Sequence, residues 1–478
     1  MDKLVLDRLA GRRFLRIGAG LMAVALIAGA CGGGDSGASG AASASAPAES
    51  AGAAESPSTG GESPSASGGG EGAFQPPANN VELVVWNPFT GPDGNFFSQI
   101  VDEFNAATPT VKVTVQTQPG AEYIQRLEAA TAANQLPHVI AAGYDALPLL
   151  TENGIVIPID EFVQTGGYDA TMFPEAIWNA GQWKDQRVGV PIDTHPMILY
   201  YNKALFTEAG LDPEAPPTDQ ASFEAAITAI NDKTDADGLQ MVASGPGANF
   251  LVGILWAGLF YQGGGEWTNA DFSEATFNSE AGVAASEYLV KLVNELKVPK
   301  VESDAELNAF TQSKNAMMFN GIWQLSATQD ALGEDLGVAP VPNILGEGTW
   351  GGSHNLAVTA AAQDGDLKQA AYYFIDWFSK NSLNWGAAGQ VPARNDVREQ
   401  VTAGGEGLLD LVAQVTPLAE TVKFLPSIPG GGDLLFIANG AGEAATLAIN
   451  GSDPKQTLDA AAQFNTDVLK QNKERYGF

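Results

Sequence analysis

The chain has 478 residues, with 24 Lys and Arg against 56 Asp and Glu and a single cysteine, Cys31. That length allows two or three domains of about 150 residues each. The acidic excess excludes the basic patches that grip nucleic-acid phosphates, and one cysteine excludes an internal disulfide or a cysteine zinc cluster.

The first thirty residues read as an export signal: a basic start (Arg8, Arg12, Arg13, Arg16), then an apolar run from Ile17 to Ala30. A bilayer-spanning helix needs about 20 apolar residues, and this run is shorter. Ala28-Gly29-Ala30-Cys31 resembles the lipobox of bacterial lipoproteins, with Ala28 where Leu is usual; the resemblance implies a lipid on Cys31. Arg12-Arg13 resembles a twin-arginine signal, but Phe14-Leu15 follows the pair directly, so the export route stays open. Residues 31–78 are almost all Gly, Ser, Ala, Pro and Glu, with Phe74 their one aromatic residue. Such a segment cannot bury enough apolar surface to offset chain entropy and is expected to be a disordered tether, with a reach of about 35–40 Å.

From residue 79 the pattern is that of a folded α/β body. A strand is predicted at Val81–Trp86. Phe96, Phe97, Ile100, Val101 and Phe104 recur at helical spacing, and strands follow near 110–115 and 139–142 with a helix between. This alternation predicts parallel neighbours in a sheet. Val188 to Gly210 (VGVPIDTHPMILYYNKALFTEAG) predicts a strand, a polar loop at Ile192–His195, a second buried strand and a short helix. Such a stretch suits a chain passing from one lobe to another. Further helices are predicted near 217–231, 249–261, 280–295, 366–380, 406–416 and 453–472.

No catalytic motif stands out. Asp235-Ala236-Asp237-Gly238 fails the calcium-loop pattern, since Lys233 and Ser244 occupy ligand positions. His138, His195 and His354 have no metal-ligand spacing and read as loop or cleft histidines. Ser353-His354 lacks a nucleophile-elbow context. No cofactor, metal or catalytic residue is therefore expected. Several tryptophans do lie beside glycine at element ends, where flat rings can stack on sugar faces. Trp256 and Trp267 flank Gly263–Gly265, Trp323 follows Gly321, and Trp350 precedes Gly351-Gly352.

Four segments together resemble the extracellular solute-binding proteins of ABC importers, in the group of maltose and multiple-sugar binders: VVWNPFTGPDGNFFSQIVDEFN (84–105); VGVPIDTHPMILYYNKALFTEAGL (188–211) with PPTDQASFEAA (216–226); NAMMFNGIWQLS (315–326); and WGGSHNLAV (350–358) with AAYYFIDWFS (370–379) and GQVPAR (389–394). The resemblance implies a two-lobed α/β fold of the periplasmic-binding-protein kind, with crossing strands and a ligand cleft between the lobes. One lobe is expected at 79–194 with 341–395, the other at 195–340 with 396–478. Crossings are expected near Asp193–Pro196, near Pro340–Pro342 and within 395–420. The same likeness implies ligand contacts at Asn87, Tyr144, Asp145, Asp193, Trp323, Gly351, Gly352 and Arg394, and Trp256 and Trp267 join them on the tryptophan argument.

The function so implied is capture of a mono- or oligosaccharide by cleft closure and its delivery to a membrane permease, by a monomeric, non-enzymatic lipoprotein outside the cytoplasmic membrane. The segment 430–440 (GGGDLLFIANG) lacks the tryptophan that maltose binders carry, which argues against a maltodextrin. Glycerol-3-phosphate or a phosphodiester is the alternative ligand. A tethered glycan-active enzyme and a purely structural surface lipoprotein are the alternatives of other classes.

Overall fold

The computed structural model describes residues 74–403 and 407–478. The expected signal peptide, Cys31 and the expected tether up to residue 73 lie outside the described residues. Strand β1 (Val81–Asn87) buries every second side chain, as a strand packed on a core does. It pairs in parallel with β2 (Val111–Thr117) and β3 (Val139–Gly143), through helices α1 (Asp93–Ala107) and α2 (Tyr123–Ala132). This is the predicted alternation. Two short antiparallel additions complete a five-stranded sheet, β4 (Val190–Pro191) and a late strand at His354–Val358.

The second sheet is built around β5 (Asp193–Asn202), all ten residues of which are buried. Its alternate residues face opposite ways: Met197, Leu199 and Tyr201 enter one hydrophobic core, Ile198 and Tyr200 another. A strand apolar on both faces reads as a continuous apolar run, which explains MILYY. β5 pairs with β7 (Asn315–Gly321) on one side and β8 (Leu336–Pro340) on the other, and β6 (Asp237–Leu239) extends the sheet beyond β7. Its first four residues change partners. His195 and Pro196 pair with β9 (Thr349–Gly352), Asp193 and Thr194 with β11 (Val391–Pro392). With the His354–Val358 strand as β10, and β12 (Val422–Lys423) beside β9, the set is complete. Pro196, which has no N–H to donate, stands where the partners change.

Sheet membership corrects two boundaries. The expected polar loop at Ile192–His195 is strand from Asp193 onward, so the first passage between sheets is Ile192 alone. The second was expected at Pro340–Pro342. Instead β9 continues the ladder of β5, and the chain returns to the first sheet at Ser353. Residues 395–402 and 408–415 are helical, and Val401, Leu411 and Val412 share a core with Ile198 and Tyr200. A third correction concerns the tether. Phe74 stacks on Phe162 at 4.7 Å and meets Tyr372 edge-on, so residues 74–78 belong to the folded body.

The loop between β8 and β9 is held by one buried side chain. Gln262, the last residue of the apolar helix α3 (Ala248–Gln262), donates to the carbonyls of Pro342 and Gly348 and accepts from the N–H groups of Ile344 and Leu345. Gln262→Ala leaves these groups unpaired and is expected to cost at least about 2 kcal/mol in denaturant unfolding. Wild-type stability in the variant would show that another contact holds the loop.

Candidate functional site: an aromatic cleft at the strand crossings

A cavity of about 530 Å³ opens where the chain passes between the sheets. Its floor is His195 and His354, its one wall aromatic, its other wall rich in oxygen acceptors. Each part follows from local structure.

The aromatic wall runs Trp323, Phe250, Trp350, Phe436. Phe250 sits at its centre, 6.1 Å from Trp323, 6.4 Å from Trp350 and 5.3 Å from Phe436 by ring centroids. Phe250 is 37% exposed, high for so large an apolar side chain, and its ring lines the cavity. Trp323 lies in the turn after β7. Its ring folds back over Gly321, where any Cβ would sit 1.9 Å from a ring carbon, and the Tyr200 hydroxyl donates to the Gly321 carbonyl. The turn is thus fixed before any ligand arrives.

Phe89, Tyr144, Asp93 and Asp145 also line the cavity. Tyr144 is buried, packs on Phe424 and accepts a hydrogen bond from the Leu425 N–H. The Asp145 carboxylate fits against Gly143 and Gly432, where added Cβ atoms would meet its oxygens at 2.5 and 2.4 Å. Burial raises the pKa of Asp145 and of Asp93; Asp433 is raised by burial and by the charge of Asp145. Two polar atoms of lining residues have no partner within the protein: Trp350 Nε1, a donor, and Gln390 Oε1, an acceptor.

The floor rests on Asp193, which is fully buried. Its Oδ1 accepts from His195 Nδ1 (3.1 Å) and the His354 N–H (2.9 Å), its Oδ2 from His354 Nδ1 and Trp385 Nε1 (both 2.8 Å). Burial would raise the pKa of this carboxyl, but His354 and His195 outweigh it and hold the group far below the carboxylate range. An ionised carboxylate only accepts, so both imidazoles carry a proton on Nδ1. The rings stack at 4.2 Å. Burial opposes charging either. The Asp193 charge raises His354 above its usual value, while burial and the neighbouring His354 lower His195. These ligand-type atoms lie within 4.8 Å of one another, but donors fill all four lone-pair positions of the carboxylate. The cluster is complete as a hydrogen-bonded lock between the two passages. Thr194 Oγ1 donates to the Gly352 carbonyl and adds to that lock. Ser353 Oγ donates to the Asp193 backbone carbonyl, so Ser353 and His354 do not form a nucleophile–base pair.

Of the residues expected at the site, Tyr144, Asp145, Trp323 and Gly352 line the cavity. Six do not. Asn87 is buried, and its Oδ1 accepts from the Phe89 N–H, shaping the wall from behind. Asp193 lies beneath the histidines. Gly351 packs on Val422. Arg394 pairs with Asp396 and lies over the Tyr168 ring, turned to its own helix start. Trp256 and Trp267 are core residues whose indole N–H groups reach Ser286 and Tyr261. Sequence reasoning missed Phe250, Gln390 and Phe436. Phe436 falls in the segment that lacks the expected tryptophan and supplies a ring there.

A family model described as bacterial extracellular solute-binding protein matches residues 99–404. The chain belongs to this family. It is therefore an exported protein, and among its described residues no helix is long and apolar enough to cross a membrane. The sn-glycerol-3-phosphate-binding periplasmic protein UgpB of Brucella abortus is 24% identical over 319 residues, 61% of this chain and 70% of that protein. The GacH receptor of Streptomyces glaucescens, solved unliganded and with acarbose, superposes with a TM-score of 0.70 at 23% identity, covering 82% of this chain and all of that one. The sugar-binding protein MalE of Xanthomonas citri gives 0.68 at 19%, covering 82% and 98%. These likenesses establish the two-lobed α/β fold.

Asp193→Asn replaces an acceptor oxygen with a donor facing donors and is expected to cost about 3–5 kcal/mol at neutral pH. Because the native pKa of Asp193 is depressed, its contribution is present above the unfolded value, about 3.9, and is lost as pH falls through the native value. Because the raised pKa of His354 also depends on the Asp193 charge, urea unfolding should show a deficit that is largest between about pH 4 and 6.5, shrinks as His354 deprotonates at higher pH, and narrows again below about pH 4. A deficit that widens below about pH 4 would contradict the lock.

Proposed function

We propose that this chain is the substrate-binding subunit of an ABC importer, that it captures a carbohydrate, and that a lipid on Cys31 anchors it to the outer face of the cytoplasmic membrane. The observation that carries the carbohydrate reading is a run of neighbouring aromatic rings and two carboxylates lining one cavity. Ring faces stack on the C–H surfaces of a sugar while carboxylates accept from its hydroxyls. The reading divides the lobes at Ile192 and Ser353, where the chain changes sheets. Ligand bound on one lobe gains contacts from the other, which favours the closed form and its docking on the permease. No step requires a covalent bond to change, in keeping with a Ser353 hydroxyl committed to the backbone.

Glycerol-3-phosphate is less well served. An anion wants converging cations or helix N-termini, and no Lys or Arg lines the described cavity. A thermal-shift screen separates the two. At a hundredfold excess over its dissociation constant a true ligand adds about 2.7 kcal/mol. A rise with a sugar that is not consumed supports the reading; a rise only with glycerol-3-phosphate overturns it.

Trp323→Ala is expected to weaken sugar binding by more than about tenfold with the fold intact. Trp256→Ala should lower stability by about 3–5 kcal/mol, a cavity cost, without changing the affinity of the folded protein. Calorimetry on both variants checks the pair. Equal affinity losses would mean that Trp323 acts only through the fold.

A further inference from the structure

The balance of charge and hydrogen-bonding groups in the cleft goes further than the word carbohydrate. The charged side chains that line the cavity with the aromatic rings are the carboxylates of Asp93 and Asp145, beside the hydroxyl-bearing Thr90, Tyr144 and Ser353. Gln390 spends its N–H on Asp93, at 3.3 Å, and its Oε1 has no partner within the protein although the residue is fully buried. Asp145 shares its surroundings with a third acid, Asp433, whose pKa burial and the Asp145 charge raise.

No fixed cation offsets these carboxylates. Among the described residues lining the cavity there is neither Lys nor Arg. Arg394, expected at the site, is committed to Asp396. His354 is the one group near both carboxylates that takes a charge, and its Nδ1 is bound to the ionised Asp193, which neutralises it. Asp93 is buried and Asp145 half-buried, and carboxylates so placed without a counter-charge are costly to hold in the ionised form. A hydroxyl offers each of them one proton and no charge. An ammonium offers three N–H donors, accepts nothing, and brings the missing charge. The facing rings of Trp323 and Trp350 would hold such a cation by the negative potential of their faces.

We infer that the cleft selects a carbohydrate bearing a protonated amine, seated between the carboxylates of Asp93 and Asp145 and the aromatic wall. This rests on the carbohydrate reading above and narrows it to basic sugars. The net acidity of the whole chain, 56 acids against 24 basic residues, adds a field that draws cations toward it.

The test is calorimetric binding to the full chain of matched pairs that differ only in amine against hydroxyl: glucosamine and glucose, galactosamine and galactose, the chitosan disaccharide and cellobiose. N-acetylated partners serve as neutral controls of similar bulk. At least one amine-bearing member is expected to bind about tenfold or more tightly than its hydroxyl partner, and acetylation should abolish the gain. In Asp145→Asn the ratio within that pair should fall toward unity; because each ratio is taken within one protein, a general loss of fold moves both members alike. If neutral sugars bind and no amine improves on its partner, or if the preference survives in both Asp145→Asn and Asp93→Asn, the charge inference is wrong while the carbohydrate reading stands. If no member of any pair binds, both are wrong.

Discussion

The four hydrogen bonds received by Asp193 tie together everything that defines this molecule. One carboxylate, buried from water, accepts from two histidines, a tryptophan and a backbone N–H. Those donors come from β5, from β10 and from the Trp385 region, so the contact joins both passages between the sheets and the segment behind them. A buried carboxylate tolerates this position because every lone pair is filled and positive charge lies beside it. Remove the charge and the two histidines lose the reason for their stacked arrangement at the cleft floor.

Around that point the structure divides its labour. β5 is rigid because it is paired along its whole length and packed into a core on each face. The two passages that Asp193 joins are single residues, Ile192 and Ser353; a third, from β10 to β11, runs through residues 359–390. Short connections between two well-packed sheets are where a domain closure concentrates its dihedral change. A hinge whose floor also forms part of the cleft couples ligand contact directly to lobe position. This is a physical basis for capture by closure, and it needs no separate relay between site and hinge.

Much of the fold was legible because it is written in periodicity. An apolar run gave β1, alternation gave β2, helical spacing gave α1, and the unbroken apolar run MILYY marked a strand buried on two faces. The wall that recognises ligand was half legible. Trp323 and the Tyr144–Asp145 pair carry local signals, but Phe250 belongs to a helix apolar all round and Phe436 ends a one-turn helix after three glycines, and only tertiary packing turns them toward one cavity. Trp256 and Trp267 misled for an instructive reason. Gly263–Gly265 beside them does serve an aromatic ring, since a Cβ on Gly265 would sit 2.0 Å from Phe260, but that ring is in the core. Glycine next to tryptophan reports a close approach without saying whether the approach faces water. Asp193 misled differently. The family likeness makes it a ligand contact at the first crossing, and its role is instead to hold the histidines that line the cleft.

A narrower pattern separates cleft from core. Three lining side chains fold back over a glycine two residues before them: Asp93 over Gly91, Asp145 over Gly143 and Trp323 over Gly321, with added Cβ atoms meeting them at 3.1, 2.5 and 1.9 Å. In each case the glycine ends a strand or lies in the loop just after it, where the backbone turns from the sheet edge into the cleft. The missing Cβ lets the following side chain lie against the backbone, fixed in direction without neighbours on its ligand face. That solves a problem any binding cleft has. Its groups must be held still, yet the surface that holds them cannot be the surface the ligand needs. Phe260 and Gly265, five residues apart in the core, lack this geometry. The i, i+2 spacing at a strand's end is therefore the part of the signal that belongs to recognition, and it assigns Asp93 to the cleft on the same footing as Asp145 and Trp323.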